Sequence, residues 1–422
     1  MRALLLMTLF CMSFASGQAA TAADVELLTP SVLSLTGDAR LVGASGERSW
    51  IDEGFGKLRS SGGAGGEFRI KPELGSANIV WQPRAGFAWS ATVVASIQGG
   101  ERSEAGLSEA FASFKPMRRD GLSFSARAGL MWPPISTEHG GADWHVTDTV
   151  TPSAINSWVA EELRPLAAEA TIAADLNGHN LSATAAIMSA NDTAGTLLAF
   201  RGWALHDRRT LAVNRQPLPP LPEELEYYQP QYTHPLLDVS PGFARRPGYY
   251  ARVAWQTPDN VRLELFRYDN RARPEWVNEE LEWGWRTRFQ QVAAVARPLG
   301  ELEIKGQAMV GRTQMGIEEQ GRLWVDARFK AAFLLATHPL GKGKLAARIE
   351  KFHVRQNGSL LTQDAGEPGR AALLAYSHPL AAGLTGIAEA LHVSSRRGQR
   401  EEIGLAARQT QTQLQVSIRF FW

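Results

Sequence analysis

Along most of the chain, apolar and polar residues alternate one by one. The last stretch shows this cleanly. Leu414, Val416, Ile418, Phe420 and Trp422 share one parity, and Gln413, Gln415, Ser417 and Arg419 the other. A period of two is that of an extended strand with unlike faces. The same alternation sets Leu33, Leu35, Gly37, Ala39 and Leu41 against Ser34, Thr36, Asp38 and Arg40. It sets Trp89, Ala91, Val93, Ala95 and Ile97 against Ser90, Thr92, Ser96 and Gln98, and Leu122, Phe124, Ala126, Ala128, Leu130 and Trp132 against Ser123, Ser125 and Arg127. Further on, Val325, Ala327, Phe329, Ala331, Phe333 and Leu335 oppose Asp326, Arg328 and Lys330. Strands of about ten residues or more, with one apolar and one polar face, suit a tilted bilayer crossing better than a soluble sandwich. On this reading Phe329, Phe333, Val416 and Phe420 face lipid, and Arg328, Lys330 and Arg419 face the interior.

The connections alternate in length as well. Short turns are predicted at Gln82-Pro83-Arg84-Ala85, Asn177-Gly178, Thr257-Pro258-Asp259-Asn260, Arg297-Pro298-Leu299-Gly300, His338-Pro339-Leu340-Gly341 and His378-Pro379-Leu380-Ala381. Proline sets the turn and cannot donate to a ladder, so it marks strand ends. Between the turns lie longer polar links at 43–65, 133–160, 191–247, 271–281, 314–321, 355–368 and 396–400. Short turns on one rim and long loops on the other predict an all-β fold: a closed antiparallel transmembrane β-barrel of about 16 strands. The count becomes 14 or 18 if 401–422 is read differently. A plug domain before the barrel has no room, since alternation begins by Val32.

The first residues have a different character. Arg2, the apolar run Leu4–Phe14 and Ala20-Thr21-Ala22 read as a cleaved export signal over 1–22, with 23–422 as a single barrel. Cys11, the one cysteine, lies in that segment. The remaining chain therefore offers no disulfide or thiolate metal site, and no cofactor is implied. A net charge of +1 argues against a nucleic-acid partner. Tryptophan is abundant, at 13. Trp81, Trp89, Trp255 and Trp422 fall near the short turns, and Trp132, Trp283 and Trp285 near the long links, as two interfacial belts would require. The chain is therefore placed in the bacterial outer membrane, in contact with its lipid and lipopolysaccharide.

The aromatic ending looks like the C-terminal strand of outer-membrane proteins, where it forms part of the signal read by the assembly machinery. A strand ending at Gly129, then Pro133-Pro134 and Glu138, resembles the phosphate-selective porins O and P and their relatives. The resemblance covers this hairpin, the turn-and-loop layout and the C-terminus. It implies a 16-stranded homotrimeric pore. The dense run of loop lysines that forms that family's phosphate ladder has no counterpart here.

Strand parity nominates lumen charges. The cations are Arg40, Arg127, Arg252, Arg262, Arg286, Arg288, Lys305, Arg328, Lys330, Arg348 and Arg419. The anions are Asp38, Glu169, Glu264, Glu282, Glu303, Asp326 and Glu350. Cations outnumber anions, which favours weak anion preference in a water-filled pore for small hydrophilic solutes. The alternative is a wall of cross-strand ion pairs with little selectivity. Arg286 with Arg288, and Arg328 with Lys330, are the same-face cation pairs singled out for conduction. The 191–247 link is the candidate constriction loop, through Arg208, Arg209, Glu223, Glu224, Arg245 and Arg246; otherwise it caps the mouth. A barrel without transport is an alternative. An outer-membrane lipid hydrolase is another, from the His392/Ser394 spacing, although no orienting Asn is evident. No histidine pair has metal-ligand spacing, and the chain is not read as an enzyme.

Overall fold

The computed structural model describes residues 25–100, 102–117, 121–189, 191–192, 194–237 and 246–422. The export-signal reading of 1–22 and the constriction candidate Arg245 lie outside these residues. Sixteen long strands form the wall: β1 Leu33–Ala44, β2 Arg69–Trp81, β3 Trp89–Gln98, β4 Glu104–Phe114, β5 Leu122–Leu130, β6 Leu166–Leu176, β7 His179–Ser189 and β8 Gly248–Gln256. The second half comprises β9 Arg262–Asp269, β10 Arg286–Leu299, β11 Leu302–Glu319, β12 Arg322–Leu340, β13 Gly343–Gln356, β14 Glu367–Ala381, β15 Leu384–Arg396 and β16 Arg408–Phe421. Each pairs antiparallel with its neighbours in sequence, and β16 closes on β1 with Asp38 opposite Arg419. Two main-chain hydrogen bonds between Leu35 and Trp422, at 2.7 and 2.8 Å, finish the seam. Closure removes the free strand edges that an open sheet would expose.

The turn chemistry explains the hairpins. Asn177 and Gly178 both have positive φ, 53° and 82°. That geometry gives the two-residue turn whose twist matches the strands it joins. Gln320 and Gly321 make the same kind of turn on the opposite rim, with φ of 51° and 77°. Residues 314–321, expected as a loop, therefore continue β11 and β12, the two longest strands at 18 and 19 residues. Residues 401–422 hold one strand, β16, after a short 3-10 helix, Gly398–Ile403.

On β1, β3, β5 and β16 the apolar parity faces out, as expected. Leu41, Ile97, Phe124 and Val416 are exposed, while Arg40, Gln98 and Gln415 are buried inside. On β12 the expectation is inverted. Phe329, Ala331, Phe333 and Leu335 are buried in the lumen, and Arg328, Lys330, Ala332 and Leu334 face outward. The reason is what occupies the lumen. Residues 131–165 and 194–211 fold into the barrel and carry helix α1, Ala154–Val159, and helix α2, Ala194–Arg201. Ile155, Trp158, Leu197, Phe200, Trp203 and Leu205 pack against Phe266, Phe289, Phe329 and Phe352 of the wall in one buried cluster. Trp158 lies 4.8 Å from Phe329 and 5.4 Å from Phe289, ring centre to ring centre. The apolar face of β12 thus meets protein and not lipid. A lumen filled only by water, the simplest consequence of a polar interior, is corrected to one partly filled by an apolar plug.

Trp132, Trp283 and Trp285 belong to this interior as well. They are 1%, 5% and 1% exposed, so they form no outer belt. Trp89, Trp255 and Trp422 on the short-turn side are exposed, as an interfacial belt requires.

Candidate functional site

The wall of β11 to β16 grips the 131–165 loop with side chains. Glu138 accepts hydrogen bonds from the Ser153 main-chain nitrogen (3.0 Å), Ser153 Oγ and Asn156 Nδ2 (both 2.5 Å). Ser153 Oγ in turn accepts from the Asn156 nitrogen at 3.3 Å, an N-cap for α1. Arg348 of β13 donates to Glu138 (2.9 Å), to the Thr151 carbonyl (2.8 Å) and to the Pro152 carbonyl (2.9 Å). Glu350 accepts from the Ala154 nitrogen at 2.7 Å and Glu389 from the Val150 nitrogen at 2.6 Å. Lys305 meets Asp148 at 2.6 Å, and Lys344 pairs with the same carboxylate. Arg419 donates to the Val146 carbonyl at 2.5 Å. Lys305 and Arg348, nominated as pore-lining, do face inward, but they hold the loop.

Residues 194–211 cross the other side. Arg201 forms a paired contact with Glu162 at 2.7 and 3.1 Å, and His206 Nε2 meets the same carboxylate at 2.9 Å. Asp207 lies between Arg40 and Arg59, 3.0 Å from the latter. Arg208 pairs with Glu104 at 3.0 Å, and Arg209 donates to Asn78 at 3.0 Å. Arg208 and Arg209 are therefore inside the barrel. Glu223 and Glu224 are not. They are exposed on a short helix, Glu223–Glu226, whose Leu225 alone is buried. Arg246 is half-buried two residues before β8.

The other nominated residues divide by face. Arg127 pairs with Glu169 at 2.8 Å, and Tyr250 donates to Glu169 at 2.8 Å. Arg252 meets Glu264 at 2.7 Å, Arg262 pairs with the same carboxylate, and Glu303 lies 3.5 Å from Lys305. These groups face the lumen. Arg286, Arg288, Asp326, Arg328 and Lys330 do not, which corrects their assignment. Their neighbours Thr287, Phe289, Ala327 and Phe329 point into the plug, so alternation turns these charges outward. Arg286 meets Asp269 at 3.3 Å, and Asp326 pairs with Arg312. Glu282 sits in the link before β10 and binds His234 at 2.7 Å.

Between the loops and β1, β2, β15 and β16 remains a polar cavity of about 470 Å³. Asp38, Arg40, Asp143, His145, Glu161, Asp207, Arg209 and Arg419 line it. Burial pushes the Asp143 carboxyl up, but His145, 2.7 Å away, and Arg209 outweigh it and hold the group at about 2. Burial likewise raises Asp207, and Arg40 and Arg59 reverse it to well below the ordinary range. Beside them, burial takes His139 down to about 3 and Glu161 well above the usual carboxylate range. His139 Nε2 and Glu161 lie 2.7 Å apart, a hydrogen-bonded pair buried in the plug.

The sequence singled out the 191–247 loop and missed the grip on 131–165. The signal was present in Met131, Trp132, Ile135, Ile155, Trp158 and Val159, an apolar content that a water-exposed loop does not carry. His392 and Ser394 share the outward face of β15. His392 hydrogen-bonds Thr412 at 2.9 Å, and among the described residues no hydrogen bond joins it to Ser394. His234, Glu280 and Glu282 bring three ligand atoms together on the long-loop side, but Arg215 already pairs with Glu280 at 3.3 Å.

No family model and no curated protein matches this sequence. Solved structures match its fold. The outer membrane channel DcaP of Acinetobacter baumannii is 8% identical, with 96% of this chain and 100% of that one covered and a TM-score of 0.56. An anion-selective porin from Comamonas acidovorans is 11% identical over 94% and 100%, TM-score 0.51. A loop-deletion mutant of OmpT, an outer membrane protein of Vibrio cholerae, is 8% identical over 94% and 100%, also 0.51. The closed 16-strand barrel is thus the fold of outer-membrane porins and channels.

Proposed function

We propose that this chain is a diffusion channel for small hydrophilic solutes, with the path along the charged side of the lumen, between the inserted loops and the wall of β15, β16, β1 and β2. The observation that carries the reading is the charged cavity of about 470 Å³, lined by Arg419, which holds Val146 of one loop, and by Arg40, which holds Asp207 of the other. A barrel of this size is wide enough to need filling, and the loops fill it only in part. Arg208 and Arg209 are the constriction residues of this reading.

A mild anion preference accompanies it. Most inward cations are matched by carboxylates, but the Arg262 side chain is 46% exposed and shares Glu264 with Arg252. Planar-bilayer recording of purified protein tests both parts. Stepwise conductance with a reversal potential favouring chloride by about twofold is expected, falling at high salt. Absence of conductance would leave a barrel without transport. Homotrimer formation is part of the proposal too. The uncharged outer face of β1, with Gly37, Ala39 and Leu41, is where a copy could pack closely, and native mass measurement reads the stoichiometry. The β16 ending at Trp422 is the proposed contact for the assembly machinery.

A further inference from the structure

The cations that strand parity removes from the lumen form a surface of their own. Arg288, Arg312, Arg328 and Arg355 are successive cross-strand partners on β10 to β13, all on the outward face. Like charges directly opposite one another destabilise a sheet unless an anion lies between them. Arg312 has Asp326. Among the described residues, Arg328, Lys330, Lys351, Arg355 and Arg370 have no carboxylate within ion-pair distance.

Height and shape say what would neutralise them. From these arginines to the short-turn ends of their strands lie 10 to 12 residues. At ~3.4 Å per residue and a tilt of ~45°, that is ~24–29 Å, the height of the apolar band of a membrane barrel. The row therefore stands at the headgroup level of the outer leaflet. Two apolar grooves lie beside it. One of about 610 Å³ runs along Val292, Ala308 and Val310, with Lys330 and Lys351 at its edge. The other, about 510 Å³, runs along Leu334 and Ile349 beneath Lys351 and Arg370.

We propose that the outer wall of β10 to β14 is a binding site for a phosphorylated, multi-acylated lipid of the outer leaflet, the class to which lipopolysaccharide belongs. Its phosphates sit on Arg328, Lys330, Lys351, Arg355 and Arg370, and its acyl chains in the two grooves. A lipid whose phosphate is offset by its own amine leaves the row unneutralised; one with several phosphates and no such amine matches it. Guanidinium groups take phosphate oxygens in pairs, which suits a row of arginines. The site stands apart from the lumen and does not depend on the channel reading.

The test uses the full-length protein in detergent with a chelator present, titrated with purified lipopolysaccharide and followed by native mass spectrometry. The triple variant R328Q/K351Q/R355Q is compared with R84Q/K342Q, which removes two exposed cations at the opposite rim. Retained heat-modifiable mobility on gels reports a folded barrel, and R328Q alone supplies the reading should the triple not fold. We expect at least tenfold weaker binding for the triple, about threefold for R328Q, and no change for R84Q/K342Q. Enzymatically dephosphorylated lipid should bind the native protein at least tenfold more weakly. Unchanged binding in the folded variants, or equal binding of dephosphorylated lipid, overturns the proposal. So does lost self-association with lipid binding intact, which would make the row a contact between copies. Conductance of the same samples is read separately, so a silent channel and a lost lipid site are distinct results.

Discussion

Arg348 shows how much one inward charge does. Its side chain is fully buried, and it bridges Glu138, Glu350 and two loop carbonyls. Removing it leaves two carboxylates without their cation in a dry site, at a cost of about 3–5 kcal/mol. R348A is expected to release the 131–165 loop and so raise single-channel conductance and protease cleavage within it. R348K keeps the charge but cannot reach four acceptors and should fall between. The wall residues separate in a second measurement. Leu334, outward on β12, should not tolerate arginine, and L334R is expected to cost about 2–4 kcal/mol near mid-bilayer. Phe329, inward against Trp158, is expected to cost about 3–5 kcal/mol as F329A through the cavity left in the plug. Chemical denaturation of the folded barrel in detergent and in bilayers separates them, since only L334R should depend on the bilayer.

At the scale of the element, the 131–165 loop carries its own pH dependence. His139 sits at about 3 when docked, against an ordinary value of 6.5. Between those values the released loop binds a proton that the docked loop refuses. Docking therefore weakens as pH falls through that window, by roughly 3 kcal/mol at pH 4. Asp143, held at about 2, adds to the loss below its ordinary 3.8. Glu161 works in the opposite sense, because its raised carboxyl favours docking at low pH and that gain is lost as pH rises above about 4.5. His139 and Glu161 oppose each other above about 4.5, so channel noise and loop proteolysis should increase chiefly as pH drops from about 4.5 towards 3. In H139Q the onset should shift down to the Asp143 window, and E161Q should hold the loop more firmly at neutral pH. An unshifted onset in H139Q would assign the acid response elsewhere.

For the whole molecule, the inward or outward sense of each strand fixes which charges an ion can feel. R286E/R328E reverses two charges on the outer wall and is expected to leave the reversal potential unchanged. R262E reverses an exposed lumen cation and is expected to move selectivity towards cations by about twofold. Salt-gradient recordings of both variants check the face assignment at a distance, since only a lumen charge sits in the focused field of the pore.

Strand number, closure, the short-turn rim and the outward faces of β1, β3, β5 and β16 were legible because each rests on local chemistry: the period of two, Pro and Gly at turns, and a terminal aromatic. The sense of β12 was not. Alternation shows that Phe329 and Arg328 lie on opposite faces, but it carries no sign for inside and outside. The sign follows from assuming that lipid is the only apolar medium available. Residues 131–165 and 194–211 supply a second one inside the lumen, and a phenylalanine is equally content in either. The grip of Arg348, Glu350 and Glu389 on a loop some two hundred residues away in sequence was beyond reach for the same reason. The sequence determined that these are strands with two unlike faces; only the packing of distant loops into the barrel decided which face meets the membrane.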